Sequence, residues 1–180
     1  MPVFVMLLIW PSRATTIIAV VVFIVAAITD YFDGYLARKF SAVSDFGALL
    51  DPLVDKMLVL SAFIMLASIR VDGSSEAWVP GWMVVLVVVR EIWVTGLRAV
   101  AASRGVVIPA GISGKIKSAL QMISVVFLLL HNWTWSFFGI EATCQVIGMN
   151  LLLLSLLFSY FGAFEYTSIV FSLPPEDKNK

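Results

Sequence analysis

Five long apolar runs constrain the fold of this chain more than any other feature. They cover residues 14–37, 46–69, 79–103, 116–134 and 143–171, with polar or turn-forming segments between them. A helix needs about 20 predominantly apolar residues to cross a bilayer, and each run is near that length. A further run, residues 2–10, is too short to cross. The pattern predicts an all-α integral membrane protein whose helices cross the bilayer several times.

The composition supports the same interpretation. Of the 180 residues, 61% are hydrophobic and 13% are charged, whereas soluble domains average about 45–50% apolar and about 25% charged residues. The net charge is zero, so no nucleic-acid partner is indicated. Because Cys144 is the one cysteine and His131 the one histidine, an internal disulfide is excluded, and a bound metal would need oxygen ligands.

The basic residues predict how the helices are oriented. If the runs alternate in direction, one side collects Arg38, Lys39, Arg98, Arg104, Lys115, Lys117 and the lysines of the tail. The opposite side keeps Arg13 and Arg70, with a belt of Trp78, Trp82, Trp133 and Trp135. The positive-inside bias places the cation-rich side in the cytoplasm. We expect one transmembrane domain over residues 1–173, a polar tail over 174–180, and no cleavable signal peptide.

Four aspartates lie where the first two long runs meet, and they mark a candidate site. The segment reads Asp30-x-x-Asp33-Gly34-x-x-Ala37-Arg38 and, after eight residues, Gly47-x-x-x-Asp51-x-x-x-Asp55. At 100° per residue, the first group shares one side of a helix and the second forms a stripe on the next helix. Ionisable groups within membrane helices are costly and are candidates for function. A chain reversal between the helices lets the two stripes face each other.

Metal binding is the chemistry that these aspartates favour. Clustered carboxylates repel one another, and a divalent cation relieves that repulsion. Mg²⁺ and Mn²⁺ accept all-oxygen ligation, and a pair of ions about 3.5–4 Å apart serves displacement at phosphorus. The alternative roles for the four aspartates are capping of helix ends and solvated charge in a loop. Gly34, Ala37 and Gly47 either leave a slot for a ligand or let the helices pack closely. Asp45 is expected to start the second helix rather than to bind metal.

The motif resembles the signature of the CDP-alcohol phosphotransferases at eight positions: Asp30, Asp33, Gly34, Ala37, Arg38, Gly47, Asp51 and Asp55. The resemblance implies a six-helix transmembrane bundle, a homodimer, that transfers a phosphoalcohol from a CDP-linked donor to an acceptor hydroxyl and releases CMP. It implies that two Mg²⁺ or Mn²⁺ ions are bound by Asp30, Asp33, Asp51 and Asp55, and that Asp55 is also the general base. It assigns binding of the CDP moiety to Asp30, Gly34, Ala37, Arg38 and Gly47.

The second half of the chain resembles the branch of this family that joins CDP-diacylglycerol to glycerol 3-phosphate. Arg90-Glu91, Leu97-Arg98 and Gly114-Lys115-Ile116-Lys117 carry this resemblance. It implies a bacterial inner-membrane enzyme whose cytoplasmic acceptor-phosphate site consists of Arg90, Arg98, Lys115 and Lys117. Lys115 and Lys117 lie on opposite sides of a helix, so one of them is expected to enter the pocket. Alternatively, the cations only fix the orientation, and Arg90 forms a structural ion pair with Glu91.

Three further expectations remain. Members of this branch begin with an interfacial segment and a Thr-x-x-Arg stretch, whereas this chain opens inside an apolar run, so the first helix is expected to be truncated. Inositol phosphate and phosphatidylglycerol are the alternative acceptors. A divalent-cation transporter is a different class of function that membrane-embedded acids also suit. A transporter would favour ligands near the bilayer midplane and an internal repeat, and the sequence shows no repeat.

Overall fold

The computed structural model describes residues 2–39, 45–70, 76–106, 111–137 and 140–172. Within these ranges it describes only the backbone at residues 30, 31, 33–39, 45–55, 112, 137 and 140. The elements, in chain order, are α1 (Pro2–Ile9), α2 (Arg13–Lys39), α3 (Asp45–Ser68), α4 (Gly81–Ser103), α5 (Ile112–Leu129), β1 (Thr134–Phe137), β2 (Ile140–Thr143) and α6 (Cys144–Ser172).

The predicted helical fold is confirmed, with one correction at the end of the fourth long apolar run. Helices α2, α3, α4 and α6 match their runs to within two residues. The fourth long run is predicted to extend to residue 134, but α5 ends at Leu129 and Thr134–Phe137 forms a strand. That strand pairs antiparallel with Ile140–Thr143. Thr, Trp and Phe favour strands, and a glycine between two such segments favours a tight turn, so local preference ends the helix early.

Helix α6 has the properties of a membrane-crossing helix. In the part of the chain whose side chains are described, it alone is both long enough, with 29 residues, and apolar enough, with a mean hydropathy of 1.9 over 18 residues. Two shorter apolar stretches are Arg13–Thr29 and Lys56–Ser68. The outer face of α6 exposes Leu157, Phe161, Phe164 and Phe171, each at least 70% accessible. Soluble monomers rarely expose such a contiguous apolar surface, whereas lipid tolerates it.

The larger hydrophobic core begins at the short helix α1. Phe4 and Leu8 of α1 are buried, and the ring of Phe4 lies 5.8 Å from that of Phe23 on α2. The same core includes Phe63 of α3 and Val87 of α4. The eight residues of α1 are therefore packed into the bundle, even though they are too few to cross a bilayer.

Helices α5 and α6 approach each other closely at Gly148. A Cβ placed on Gly148 would lie 2.7 Å from Leu128 Cγ and 3.0 Å from the Leu128 backbone nitrogen. Ser124 Oγ donates a hydrogen bond to the Gly148 carbonyl at 2.8 Å. Small residues allow this kind of backbone approach between membrane helices, and polar side chains then bond across the contact.

An aromatic cluster closes the end of the bundle where α5 leads into β1. The rings of Trp78 and His131 are tilted by 38° with their centroids 3.5 Å apart, and Trp78 is only 3% exposed. The other members of the predicted belt, Trp82, Trp133 and Trp135, are each more than half exposed. The four tryptophans thus lie around the start of α4 and the hairpin. Trp78, however, is buried in the protein and does not reach its surface.

Candidate active site

The structure places all eight signature residues on two consecutive helices. Asp30, Asp33, Gly34, Ala37 and Arg38 belong to the last ten residues of α2, whereas Gly47, Asp51 and Asp55 belong to the first eleven of α3. Helix α3 begins at Asp45, as predicted. The helical spacing that the site prediction requires is therefore present in the backbone. The side chains of the eight residues lie outside the described part of the structure, so their mutual contacts stay a prediction.

Immediately after Asp55, a cluster of charged side chains gathers around Glu91 of α4. Lys56 Nζ of α3 lies 3.7 Å from Glu91 Oε2. Arg90 Nη1 of α4 donates to Glu91 Oε1 at 2.9 Å, and Lys117 Nζ of α5 also contacts Oε1. One carboxylate thus joins cations from three helices. We call these four residues, Lys56, Arg90, Glu91 and Lys117, the Glu91 cluster.

Neighbouring polar groups hold the Glu91 cluster in place. Lys56 Nζ donates to Thr95 Oγ1 at 2.7 Å, and the Thr95 hydroxyl donates to the Glu91 carbonyl at 2.7 Å. Arg90 Nε donates to the Ser159 carbonyl of α6 at 2.9 Å. The cluster therefore contacts four helices. In each of its hydrogen bonds, an N–H or O–H group donates to an oxygen that can accept it.

Two of the predicted acceptor-phosphate residues, Arg90 and Lys117, are members of this cluster. Both are buried, at 5% and 6% exposure, and both are paired with Glu91. The ion pair between Arg90 and Glu91 that the sequence offered as an alternative is present. Lys115 is exposed whereas Lys117 is buried, so the two lysines lie on opposite sides of α5, as their spacing predicted. Only Lys117 can contribute to the interior of the bundle.

Arg98, the remaining predicted phosphate ligand, is held by Tyr166 of α6. Arg98 Nη2 donates to Tyr166 Oη at 2.8 Å, and the guanidinium carbon lies 5.0 Å from the centre of that ring. The Gly111 backbone N–H donates to the same oxygen at 3.2 Å. Arg98 Nε is buried and has no hydrogen-bond partner among the described residues. A buried N–H group without a hydrogen-bond partner costs free energy of folding, unless a ligand or a solvent molecule accepts from it.

The described charges around Glu91 leave an excess of positive charge. Three cations, Lys56, Arg90 and Lys117, share one carboxylate, and Arg98 is near enough for its charge to act on Lys56. Buried charges are tolerated when they are paired, and here the cations outnumber their partner. This arrangement is suited to binding an anion with two negative charges, such as a phosphate monoester.

Sequence reasoning missed Lys56, Thr95 and Tyr166. Lys56 contacts Thr95 across 39 positions of the chain, and Tyr166 contacts Arg98 across 68. Neither pair has a helical spacing that marks it in the sequence. The one available signal was for Lys56, because a lysine directly after the last aspartate of the motif sits within an apolar run.

The predicted metal site depends entirely on the four signature aspartates. Among the side chains that the structure describes, no group of three or more Asp, Glu, His or Cys residues could hold a metal ion. Asp30 and Asp33 lie three positions apart on α2, and Asp51 and Asp55 four apart on α3. Residues at these spacings share a helix face, and carboxylate oxygens are the ligands that Mg²⁺ and Mn²⁺ prefer. The donor set therefore fits a divalent cation.

Comparison with known proteins identifies the family. The family model described as CDP-alcohol phosphatidyltransferase matches residues 1–171, which is nearly the whole chain. This chain belongs to that family. The matched range includes α2 and α3, so the eight signature positions lie within it and remain the first candidates for the active site.

Curated bacterial relatives named CDP-diacylglycerol–glycerol-3-phosphate 3-phosphatidyltransferase are similar to this chain. A Bacillus subtilis protein is 47% identical over 112 residues, covering 62% of this chain and 54% of its own length. Relatives of the same name from Rickettsia bellii and Rickettsia typhi are 33% and 32% identical, covering 84% and 90% of this chain, and 81% and 88% of their own lengths. The chain thus spans about half the length of the Bacillus relative and most of the Rickettsia ones.

Proposed function

We propose that this protein transfers the phosphatidyl group of CDP-diacylglycerol to glycerol 3-phosphate, giving phosphatidylglycerophosphate and CMP. The observation that carries the proposal is the complete eight-residue signature on α2 and α3, which is followed directly by Lys56 of the Glu91 cluster. The names of the relatives from Bacillus and Rickettsia support this choice of donor and acceptor. The excess of positive charge around Glu91 supports an acceptor that carries a phosphate.

In the proposed reaction, a hydroxyl oxygen of glycerol 3-phosphate attacks the β-phosphorus of CDP-diacylglycerol. The new phosphorus–oxygen bond forms as the bond to the phosphate oxygen of CMP breaks, and the hydroxyl proton passes to Asp55. Because metal-bound carboxylates are weak bases, the position of Asp55 at the hydroxyl matters more than its basicity. Arg98 and Lys117 hold the acceptor phosphate, and Gly34, Ala37, Arg38 and Gly47 line the site of the CDP moiety.

The proposal includes a divalent metal. Asp30, Asp33, Asp51 and Asp55 would hold two Mg²⁺ ions, with Mn²⁺ as a substitute. When bound, these ions would polarise the pyrophosphate and neutralise the departing CMP. The protein's own part is to present carboxylates on two adjacent helices at spacings that bring them to one face.

We further propose that the enzyme is a homodimer with several membrane crossings in the bacterial inner membrane, and that its active site faces the cytoplasm. The acyl chains of the donor then remain in lipid while the headgroup reaches the ends of α2 and α3. The exposed apolar surface of α6 is consistent with contact between this helix and lipid.

A CMP-release assay tests the proposal. The full chain in lipid nanodiscs is given CDP-diacylglycerol and Mg²⁺ together with glycerol 3-phosphate, inositol phosphate, phosphatidylglycerol or glycerol. We expect release with glycerol 3-phosphate, and release at least about a hundredfold slower with glycerol, because a site built for a polar group rejects an analogue that lacks it. Chelation by EDTA should stop the reaction, and Mg²⁺ or Mn²⁺ should restore it.

Each contrary result of this assay has a specific meaning. Release with another alcohol but not with glycerol 3-phosphate would reassign the acceptor. Turnover that persists in EDTA would contradict the metal. In a separate flux measurement with the protein in sealed vesicles, movement of Mg²⁺ without release of CMP would favour a cation transporter.

A further inference from the structure

Glu91 is the one residue of its cluster that contacts all the others. Its two carboxylate oxygens contact Lys56 from α3, Arg90 from α4 and Lys117 from α5. The side chain of Glu91 is only 6% exposed, and those of Arg90 and Lys117 are 5% and 8% exposed. Glu91 therefore fixes the positions of three cationic groups relative to one another.

A purely structural ion pair would not need three cations around the one carboxylate of Glu91. One cation is enough to neutralise one buried carboxylate, and additional buried cations are costly unless they gain further partners. Arg90 obtains such a partner in the Ser159 carbonyl, and Lys56 obtains one in Thr95. For Lys117, Glu91 is the one hydrogen-bond partner among the described residues. Its ammonium has three donors, so it keeps capacity for another acceptor.

The same carboxylate connects the cations to the signature. Lys56 is the residue after Asp55, and its ammonium is tied to Glu91 and Thr95 on α4. The helical turn that carries Asp55 is thereby linked to α4, which also carries Arg98 two turns after Glu91 on the same side of the helix. Only a short carbon chain separates an acceptor's phosphate from its hydroxyl, so a reaction at Asp55 requires α3 and α4 to be held in place relative to each other.

From this geometry we infer that Glu91 is a positioning residue for the acceptor. It holds the ammonium groups of Lys56 and Lys117 where they receive the phosphate of the acceptor, next to the turn that carries Asp55. The inference rests on the proposed function for the identity of the acceptor. The binding of a phosphate monoester by these cations is a separate property that is measured directly.

The substitution Glu91→Gln should raise the KM for glycerol 3-phosphate if Glu91 positions the cations, and lower it if Glu91 only offsets their charge. Removing a negative charge makes the pocket more positive, so if Glu91 only offset charge, the KM for glycerol 3-phosphate would fall. If Glu91 positions the cations, three unopposed charges repel and separate, and the KM rises. We expect a rise of at least about fivefold, with the KM for CDP-diacylglycerol changed less than about twofold.

Two further variants make the result specific. Glu91→Asp keeps the charge but shortens the side chain, so it cannot reach Lys56 and Lys117 together, and we expect the KM for glycerol 3-phosphate to rise here too. This variant decides the question if Glu91→Gln does not fold. Glu141→Gln is the matched control, because it makes the same chemical change on an exposed hairpin residue. Its KM should stay within about twofold of the wild-type value.

Calorimetric titration with glycerol 3-phosphate and with inorganic phosphate separates this inference from the proposed function. Wild-type protein that binds phosphate without releasing CMP would refute the proposed reaction, while weaker binding by the Glu91 variants would still support the inference. A KM or a dissociation constant that is unchanged or lower in both Glu91 variants would overturn the inference. Wild-type protein that binds neither ligand would overturn it as well.

Discussion

Asp55 and Lys56 are adjacent in sequence, but the reaction requires different things of them. Asp55 ends the signature and is proposed to take the acceptor's proton, whereas Lys56 ties the same turn to Glu91. The reaction needs a carboxylate at position 55 to take the proton. It needs a cation at position 56 to hold this turn of α3 against Glu91 of α4.

Replacing Asp55 with asparagine tests the role of the base. Asparagine has the same shape but cannot accept the proton, and it is a poorer metal ligand. We expect the rate of CMP release to fall at least about a hundredfold, which is the usual contribution of a general base. Single-turnover measurements at saturating substrate are the readout.

Asp45→Asn is the matched control for this substitution. Asp45 begins α3, and asparagine is about as good as aspartate at a helix start, so the rate should remain within about twofold. Turnover retained in Asp55→Asn would show that Asp55 is not the base, and equal loss in both variants would show that the loss is not specific to Asp55.

For single residues, the sequence predicted what local spacing along a helix encodes. The signature, the separation of Lys115 from Lys117, and the ion pair of Arg90 with Glu91 all follow from intervals of one to four residues along a helix. The contacts of Lys56 with Thr95 and of Tyr166 with Arg98 do not, because they join helices that are distant in sequence. Such pairs depend on how the bundle packs, and one sequence carries no record of that.

Among the elements, α5 and α6 have the tightest described approach at a glycine. The substitution Gly148→Ala places a methyl group 3.0 Å from the Leu128 backbone nitrogen, and backbone cannot move aside as a flexible side chain can. We expect the variant to lose about 1–3 kcal/mol of stability, the usual cost of overpacking. Thermal unfolding in detergent, followed by circular dichroism, measures the loss.

Gly96→Ala is the counterpart of that substitution on α4. An added Cβ at Gly96 meets nothing within 4 Å, and alanine is a better helix former, so this variant should gain about 0.5–1 kcal/mol. Equal stability of the two variants would mean that α5 and α6 are not packed closely at Gly148.

The hairpin is the element that the apolar pattern did not predict. The fourth long run was extended to residue 134, although His131 and Asn132 already interrupt its apolar character. The two strands of the hairpin were not predicted. Short segments rich in aromatic and β-branched residues are ambiguous, and the cross-strand bonds that decide between helix and strand are not visible in composition.

For the whole molecule, the distribution of cations predicts that the two ends of α5 face opposite sides of the membrane. Ser103 lies at the end of α4 and Ser136 in the hairpin, and both are exposed. With Cys144 replaced by alanine, a membrane-impermeant maleimide should label Ser136→Cys in intact spheroplasts. It should label Ser103→Cys only after the membrane is permeabilised.

The reverse labelling pattern would contradict the predicted orientation, and labelling of both positions from outside would contradict a crossing by α5. The parent protein without cysteine provides the control for background labelling. Cys144 is itself buried, at 3% exposure, so its replacement removes a slowly reacting site from the assay.

The number and order of the long helices could be read from the sequence because hydropathy and span length are summed over many residues, so single exceptions matter little. The arrangement of α1 could not. Its eight residues are too few to define a face, and its packing through Phe4 onto Phe23 depends on helices that come later in the chain. The metal ligation by the four signature aspartates stays a prediction, because their side chains lie outside the described part of the structure.

The position of Glu91 within the chain has a consequence for biogenesis. Lys56 is synthesised before its counter-ion exists, and Lys117 is synthesised after it. A nascent α3 that entered lipid alone would expose an uncompensated ammonium group. Helices α3 and α4 should therefore leave the translocon as a pair, with α5 joining them once Lys117 can reach the same carboxylate.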